Sequence, residues 1–210
     1  MTTSIADLLR EAKLIPVLTI ASVEQAIPLA RALVAGGVRH LEITLRTPAG
    51  AAAAEAIQAE VPEAVVGLGT VLTRKDLELT VRLGLPFAFS PGATPALLDA
   101  ARALDAPFVP GVANASELMA CMERGFSTVK LFPAEQVGGT AMLRSLGGPF
   151  PEARFCPTGG IAQSQVASYL ALPNVVAVGG SWLAPAAEVE RGDWEAITAR
   201  ARTAMENLSR

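Results

Sequence analysis

Two patterns of apolar and polar positions take turns along this chain. Short apolar runs rich in Val, Ile and Leu are followed by longer stretches in which apolar residues return every three to four positions. The first pattern is that of a strand buried on both faces, the second that of a helix with one apolar side. An amphipathic segment over Met1 to Lys13 predicts a short N-terminal helix. Strands are then predicted over Leu14 to Ile20, Val38 to Leu45, Ala64 to Leu68 and Phe87 to Ser90. Four more follow at Phe108 to Val109, at the start of Thr128 to Glu135, at Arg154 to Cys156 and at Val175 to Val178. Helices are predicted over Ser22 to Ala35, Pro48 to Glu60, Arg74 to Leu83, Pro95 to Leu104, Ala115 to Arg124, Thr140 to Leu146, Gln163 to Leu172 and Asp193 to Asn207. Ser22 is a suitable helix N-cap, and Gly36-Gly37 a suitable stop.

Strict alternation of strand and helix makes the strands parallel. Eight such units in 210 residues predict a closed (β/α)8 barrel, the TIM-barrel class of α/β fold. Composition does not break anywhere along the chain, so residues 1–210 are expected to form one domain. An open doubly wound sheet is the alternative, but the turn Thr19 to Glu24 lacks the glycines that fold uses. Pro91, Pro110, Pro133 and Pro157 fall at strand ends, where a missing N–H is tolerated; Pro16, early in the first strand, has no such account.

The strand at Thr128 carries one charge, Lys130, on the face opposite Val129 and Leu131. An enclosed position favours the neutral, nucleophilic form of a lysine amine, the form that makes Schiff bases. A lysine that reaches out past the strand end is the plainer alternative. On the second strand Leu41, Ile43 and Leu45 share one face, and Glu42, Thr44 and Arg46 share the barrel interior. An acid and a base together on an interior face point to a site, against an inert buried pair as the structural reading. His40 has the same parity lower in the strand and reads as structural. Thr70, ending the third strand, suits either a ligand hydrogen bond or a helix cap. Thr158-Gly159-Gly160 and Gly179-Gly180-Ser181 end the last two strands, where a barrel builds its phosphate site from backbone N–H groups.

Composition narrows the picture. Hydrophobic residues make up 51% and charged residues 18%, enough apolar material for a large core, and a net charge of −3 leaves no footprint for nucleic acid. Apolar runs are interrupted before membrane-spanning length, and no secretory leader is recognisable at the N-terminus. Cys121 and Cys156 lack metal-ligand spacing and read as buried free thiols. A cytoplasmic protein is expected, without nucleic-acid or membrane partners.

Taken in order, Leu41-Glu-Ile-Thr-Leu-Arg46, Gly67-Leu-Gly-Thr-Val71, Ser90-Pro-Gly92, Val129-Lys-Leu-Phe-Pro-Ala-Glu135, Phe155-Cys-Pro-Thr-Gly-Gly160 and Gly179-Gly-Ser-Trp182 closely resemble the 2-keto-3-deoxy-6-phosphogluconate aldolase family. These are class I aldolases of the Entner–Doudoroff pathway. The resemblance spans nearly the whole chain. It implies a (β/α)8 barrel, a homotrimer, and neither metal nor organic cofactor. It further implies that Lys130 forms the Schiff base and Glu42 is the general acid/base. Arg46 and Thr70 would hold the pyruvate carboxylate, with Pro91, Phe132 and Thr158 also at the substrate. Gly159, Gly160, Gly179, Gly180 and Ser181 would take the phosphate of a phosphorylated keto acid. Some relatives carry a basic residue after the first strand, where this chain has Ala21-Ser22. Cleavage of 4-hydroxy-2-oxoglutarate or of a phosphogalactonate epimer is a related expectation. A non-catalytic phosphosugar-binding barrel and an isomerase without a covalent lysine are the rival readings.

Overall fold

The computed structural model describes residues 4–208. The first three residues of the expected N-terminal helix lie outside them. Helix α1 (Ile5–Ala12) starts at Ser4, whose hydroxyl accepts the Asp7 N–H at 3.2 Å. Strand and helix then alternate: β1 (Lys13–Leu18), α2 (Val23–Ala35), β2 (His40–Thr44), α3 (Gly50–Glu60), β3 (Val65–Gly69) and α4 (Arg74–Arg82). The middle of the chain holds β4 (Ala88–Phe89), α5 (Pro95–Ala103), β5 (Phe108–Val109), β6 (Gly111–Val112), α6 (Ala115–Met122) and β7 (Thr128–Leu131). The remainder is α7 (Gly139–Gly147), β8 (Arg154–Phe155), α8 (Val166–Leu170), β9 (Ala177–Gly180), α9 (Ala186–Arg191) and α10 (Trp194–Asn207).

All strand pairs are parallel, but the expected closed eight-stranded barrel is not what forms. A curled six-stranded sheet runs β5-β4-β3-β2-β1-β9, and a separate three-stranded sheet runs β6-β7-β8. Proline accounts for the break. Pro110, expected at a strand end, stands between β5 and β6 and has no N–H to donate, and the short strand β6 that follows it, absent from the sequence reading, pairs with β7 instead. The Pro110 carbonyl still accepts the Lys130 N–H at 2.8 Å. On the far side β8 stops at Phe155, just before Pro157, and that segment meets the chain of Val175 to Gly180 through the isolated bridges Phe155–Val175 and Thr158–Gly179. Pro16 pairs with Gly180 of β9, while the ladder to β2 begins only at Val17, so the strand has a single neighbour where the donor is missing. Helix α9, between β9 and the last helix, was absent from the apolar pattern because only Val189 of it is buried.

The two faces of the strands bury different material. Leu41, Ile43, Val129 and Leu131 pack outward with helix residues such as Leu29, Leu33 and Ile57 in the larger core. Ile15, Phe87, Phe89, Val109, Cys156 and Val176 form a smaller inner core, closed by Leu9 and Ala12 of α1. Gly67 makes room for it: a Cβ there would lie 2.2 Å from the Phe87 ring. The alternation of β2 and β7 therefore delivers Glu42 and Lys130 to the concave side.

Candidate active site

Lys130 and Glu42 meet on that concave side. Nζ donates to Oε1 at 2.9 Å and lies 3.2 Å from Oε2, with the side chains 4% and 1% exposed. The chain has three lysines, Lys13, Lys75 and Lys130, and only Lys130 is buried. The expected snorkelling alternative does not occur. Two aromatic rings flank the amine, Phe89 at 5.0 Å and Phe132 at 5.7 Å from Nζ to ring centre. In such surroundings a separated charge is costly, and each partner offsets the other's lost hydration. The carboxylate needs space that glycine supplies: a Cβ on Gly69 would stand 2.3 Å from Glu42 Oε1. Any side chain at Gly69 displaces Glu42.

Around this pair stand the polar groups at the strand ends. Arg46 donates from Nε to the Thr70 hydroxyl at 2.9 Å. Thr70 holds φ at 59°, a left-handed backbone that costs an L-residue roughly 1–2 kcal/mol. It is not a helix cap; Thr73 caps α4. Outliers of this kind gather at functional sites, and here the turn aims a hydroxyl at the guanidinium. Next to these groups lies a cavity of about 510 Å³ that includes Val17, Arg46, Phe132 and Thr158. Phe132 joins cavity and amine, since its ring serves both.

The far wall of the cavity is glycine-rich. Gly159 and Gly160 have φ of 105° and 77°, values that other residues rarely adopt. Gly179 is tight for another reason: a Cβ would lie 2.1 Å from the Thr158 hydroxyl. At Gly180 a Cβ would stand 2.6 Å from the Trp182 indole nitrogen, a buried donor without an acceptor among the described residues. Ser181 and Trp182 continue this wall. Glu135 ties the first loop down. Its N–H donates to the Gly159 carbonyl at 3.1 Å, and its carboxylate accepts from Gln165 at 3.0 Å and from the Tyr169 hydroxyl. Gln165 in turn accepts the Ala162 N–H at 2.8 Å. Burial, and then the bond to Glu135, push the Tyr169 phenol well above its usual range, which keeps it a donor.

The structure brings Lys130, Glu42, Arg46, Thr70, Phe132, Thr158 and the two glycine loops to one region. Pro91, like Lys130, Glu42 and Thr70, is not among the residues lining the cavity, and its backbone packs where a Gly111 Cβ would be, 2.3 Å away. His40 is buried near Glu11, away from the amine, and burial holds its imidazole below the usual value. Cys156 and Cys121 are buried free thiols, raised by that burial to about 12 and about 11. Sequence reasoning missed Phe89 beside the amine and Arg200 of the cavity lining, and held Gly69 only as part of a motif. The period-two parity of β4 points Phe89 inward with Phe87 and could have found it. Nothing in the sequence around Arg200 marks it, because helix positions that face a cavity look like any other polar helix positions.

Residues 5–200 match the family model for KDPG and KHG aldolase. The KHG/KDPG aldolase of Escherichia coli (strain K12) is 48% identical over 204 residues, 97% of this chain and 96% of that protein. The solved KDPG aldolase of Legionella pneumophila, with pyruvate captured as a covalent carbinolamine, superposes with a TM-score of 0.92 at 42% identity, covering 96% of this chain and 98% of the other. The 2-keto-3-deoxy-6-phosphogluconate aldolase of Zymomonas mobilis ZM4 with 3-phosphoglycerate does so with a TM-score of 0.90 at 44% identity, covering 95% and 94%.

Proposed function

The chain belongs to the KDPG and KHG aldolase family, and from that premise we propose that Lys130 is its Schiff-base lysine and Glu42 its general acid/base. The protein is a class I aldolase, a lyase that cleaves 2-keto-3-deoxy-6-phosphogluconate to pyruvate and glyceraldehyde 3-phosphate in the Entner–Doudoroff pathway. 4-Hydroxy-2-oxoglutarate has the same pyruvyl half and no phosphate, and the same chemistry splits it to pyruvate and glyoxylate. The observation that carries the residue assignment is the buried 2.9 Å contact between Lys130 and Glu42.

The steps follow from these parts. In its neutral form Nζ attacks the C2 ketone to give a carbinolamine. Loss of water leaves a protonated imine, an electron sink conjugated with the bond to be broken. Glu42 then takes the C4 hydroxyl proton, the C3–C4 electrons flow into the imine, and the aldehyde departs from an enamine. The same carboxyl returns a proton to C3, and water releases pyruvate from Lys130. Arg46, set by Thr70, holds the substrate carboxylate, Phe132 packs on the pyruvyl group, and Thr158 lines its path. The loops of Gly159, Gly160, Gly179, Gly180 and Ser181 receive the phosphate through backbone N–H groups.

Borohydride reduction in the presence of pyruvate tests the assignment. It adds a reduced pyruvyl mass to Lys130, mapped by peptide mass spectrometry. A protein that cleaves substrate but carries no adduct there refutes it, and a non-catalytic phosphosugar binder or an acid/base isomerase gives none.

The chain is further proposed to act as one domain and as a cytoplasmic homotrimer, the assembly implied by the family resemblance. No helix among the described residues is long and apolar enough to cross a membrane. Light scattering at micromolar concentration is expected to give three times the chain mass of 21.7 kDa. A monomer mass there rules the trimer out.

A further inference from the structure

Among the described residues that line the cavity, two are charged, Arg46 and Arg200. Arg46 is engaged by Thr70 at the end of β3. Arg200 comes from a different quarter of the fold, the middle of α10. Its guanidinium meets Glu188 of α9 in a two-pronged bridge, Nη1 to Oε2 at 2.6 Å and Nη2 to Oε1 at 2.5 Å. The side chains are 26% and 17% exposed, so this is a sheltered pair at a cavity edge rather than a solvated one. The helix beneath it is firmly seated. The Thr198 hydroxyl donates to the Ala32 carbonyl of α2 at 2.9 Å, and a Cβ on Gly36 would fall 2.4 Å from that of Ala201.

A guanidinium has five N–H donors, and a fork to one carboxylate uses two of them. Arg200 can therefore keep Glu188 and still meet a second anion. The cavity wall it shares is the one made by Gly159, Gly160, Gly180 and Ser181. Backbone N–H groups there carry only partial charges, whereas a phosphate ester is close to a dianion. A guanidinium fixed in advance by a carboxylate binds phosphate without first giving up its own side-chain freedom.

We propose that Arg200, oriented by Glu188, is the cationic contact for the terminal phosphate of the substrate, and so sets the preference of this enzyme for a phosphorylated keto acid over its unphosphorylated analogue. The inference rests on the aldolase reading of the site and assigns it a residue that the sequence motifs do not contain.

The test compares Arg200→Leu with the unaltered enzyme on 2-keto-3-deoxy-6-phosphogluconate and on 4-hydroxy-2-oxoglutarate. The ratio of the two kcat/KM values is expected to fall by about 10- to 100-fold, the size of a lost charge-assisted hydrogen bond, mainly through KM for the phosphorylated substrate. Arg200→Lys recovers part of the ratio, since an ammonium keeps the charge and loses the fork. Arg200→Gln, which retains a donor for Glu188, carries the same expectation as the leucine variant should that one not fold. A folded variant that loses both substrates equally, or keeps the ratio, overturns the proposal. Calorimetry with inorganic phosphate separates this outcome from failure of the aldolase reading. Phosphate affinity falls in the variants if Arg200 is the contact, even in a protein that traps no pyruvate, and stays constant if it is not.

Discussion

Lys130→Ala yields a folded protein in which borohydride captures no pyruvate and cleavage falls by ~10⁴-fold or more, as when a covalent nucleophile is removed. Lys13 and Lys75 are exposed on the surface, outside the enclosed site that holds Lys130 and Glu42, so neither takes over. The variant is also less stable. Glu42 stays enclosed at 1% side-chain exposure with its cation gone, and breaking a buried pair from one side costs about 3–5 kcal/mol. Urea unfolding measures that loss, and circular dichroism establishes that the fold persists. Lys130→Arg separates the two effects. It keeps a cation opposite Glu42 but offers no nucleophilic amine, so it regains stability without regaining turnover. Appreciable turnover in Lys130→Ala, with an adduct on another lysine, sinks the assignment.

Glu42→Gln has the second large effect, and a different signature. The amide matches the carboxylate in shape and still accepts a hydrogen bond from Nζ, so the site can form an imine with pyruvate. What it cannot do is carry a proton away from C4–OH or back to C3. Cleavage and the exchange of pyruvate methyl protons with deuterium, followed by NMR, both slow by ~100-fold or more, the range for a lost general base. Trapped adduct at Lys130 remains. Exchange at the unaltered rate in this variant moves the proton transfers to another group. Gly69 gives an independent check on the same carboxylate, because its missing Cβ is the space that Oε1 occupies.

The sequence by itself determined the alternation of parallel strands and helices, because burial on both faces and burial on one face leave different periods in the chain. It also supplied candidates for the chemistry. Parity places Lys130 and Glu42 on the strand faces that turn inward, and the family resemblance is what proposes one as nucleophile and the other as base. The ordered motifs around them identify the family, whose model covers residues 5–200. Closure of the sheet lay beyond that reading. The sequence places Pro110 at a strand end but does not show that the chain beyond it, Gly111–Val112, pairs with β7 in a second sheet while β5 stays with β4. Distances were likewise settled in three dimensions. Nothing in the spacing of positions 42 and 130 brings their side chains to 2.9 Å; the curl of the sheet does, with Gly69 leaving room. The same holds for Thr70, whose hydroxyl serves Arg46 while the cap of α4 falls to Thr73. Arg200 is the extreme case. A helix residue far along the chain reaches the cavity because α10 docks on α2, and such a long-range contact leaves no local pattern to read.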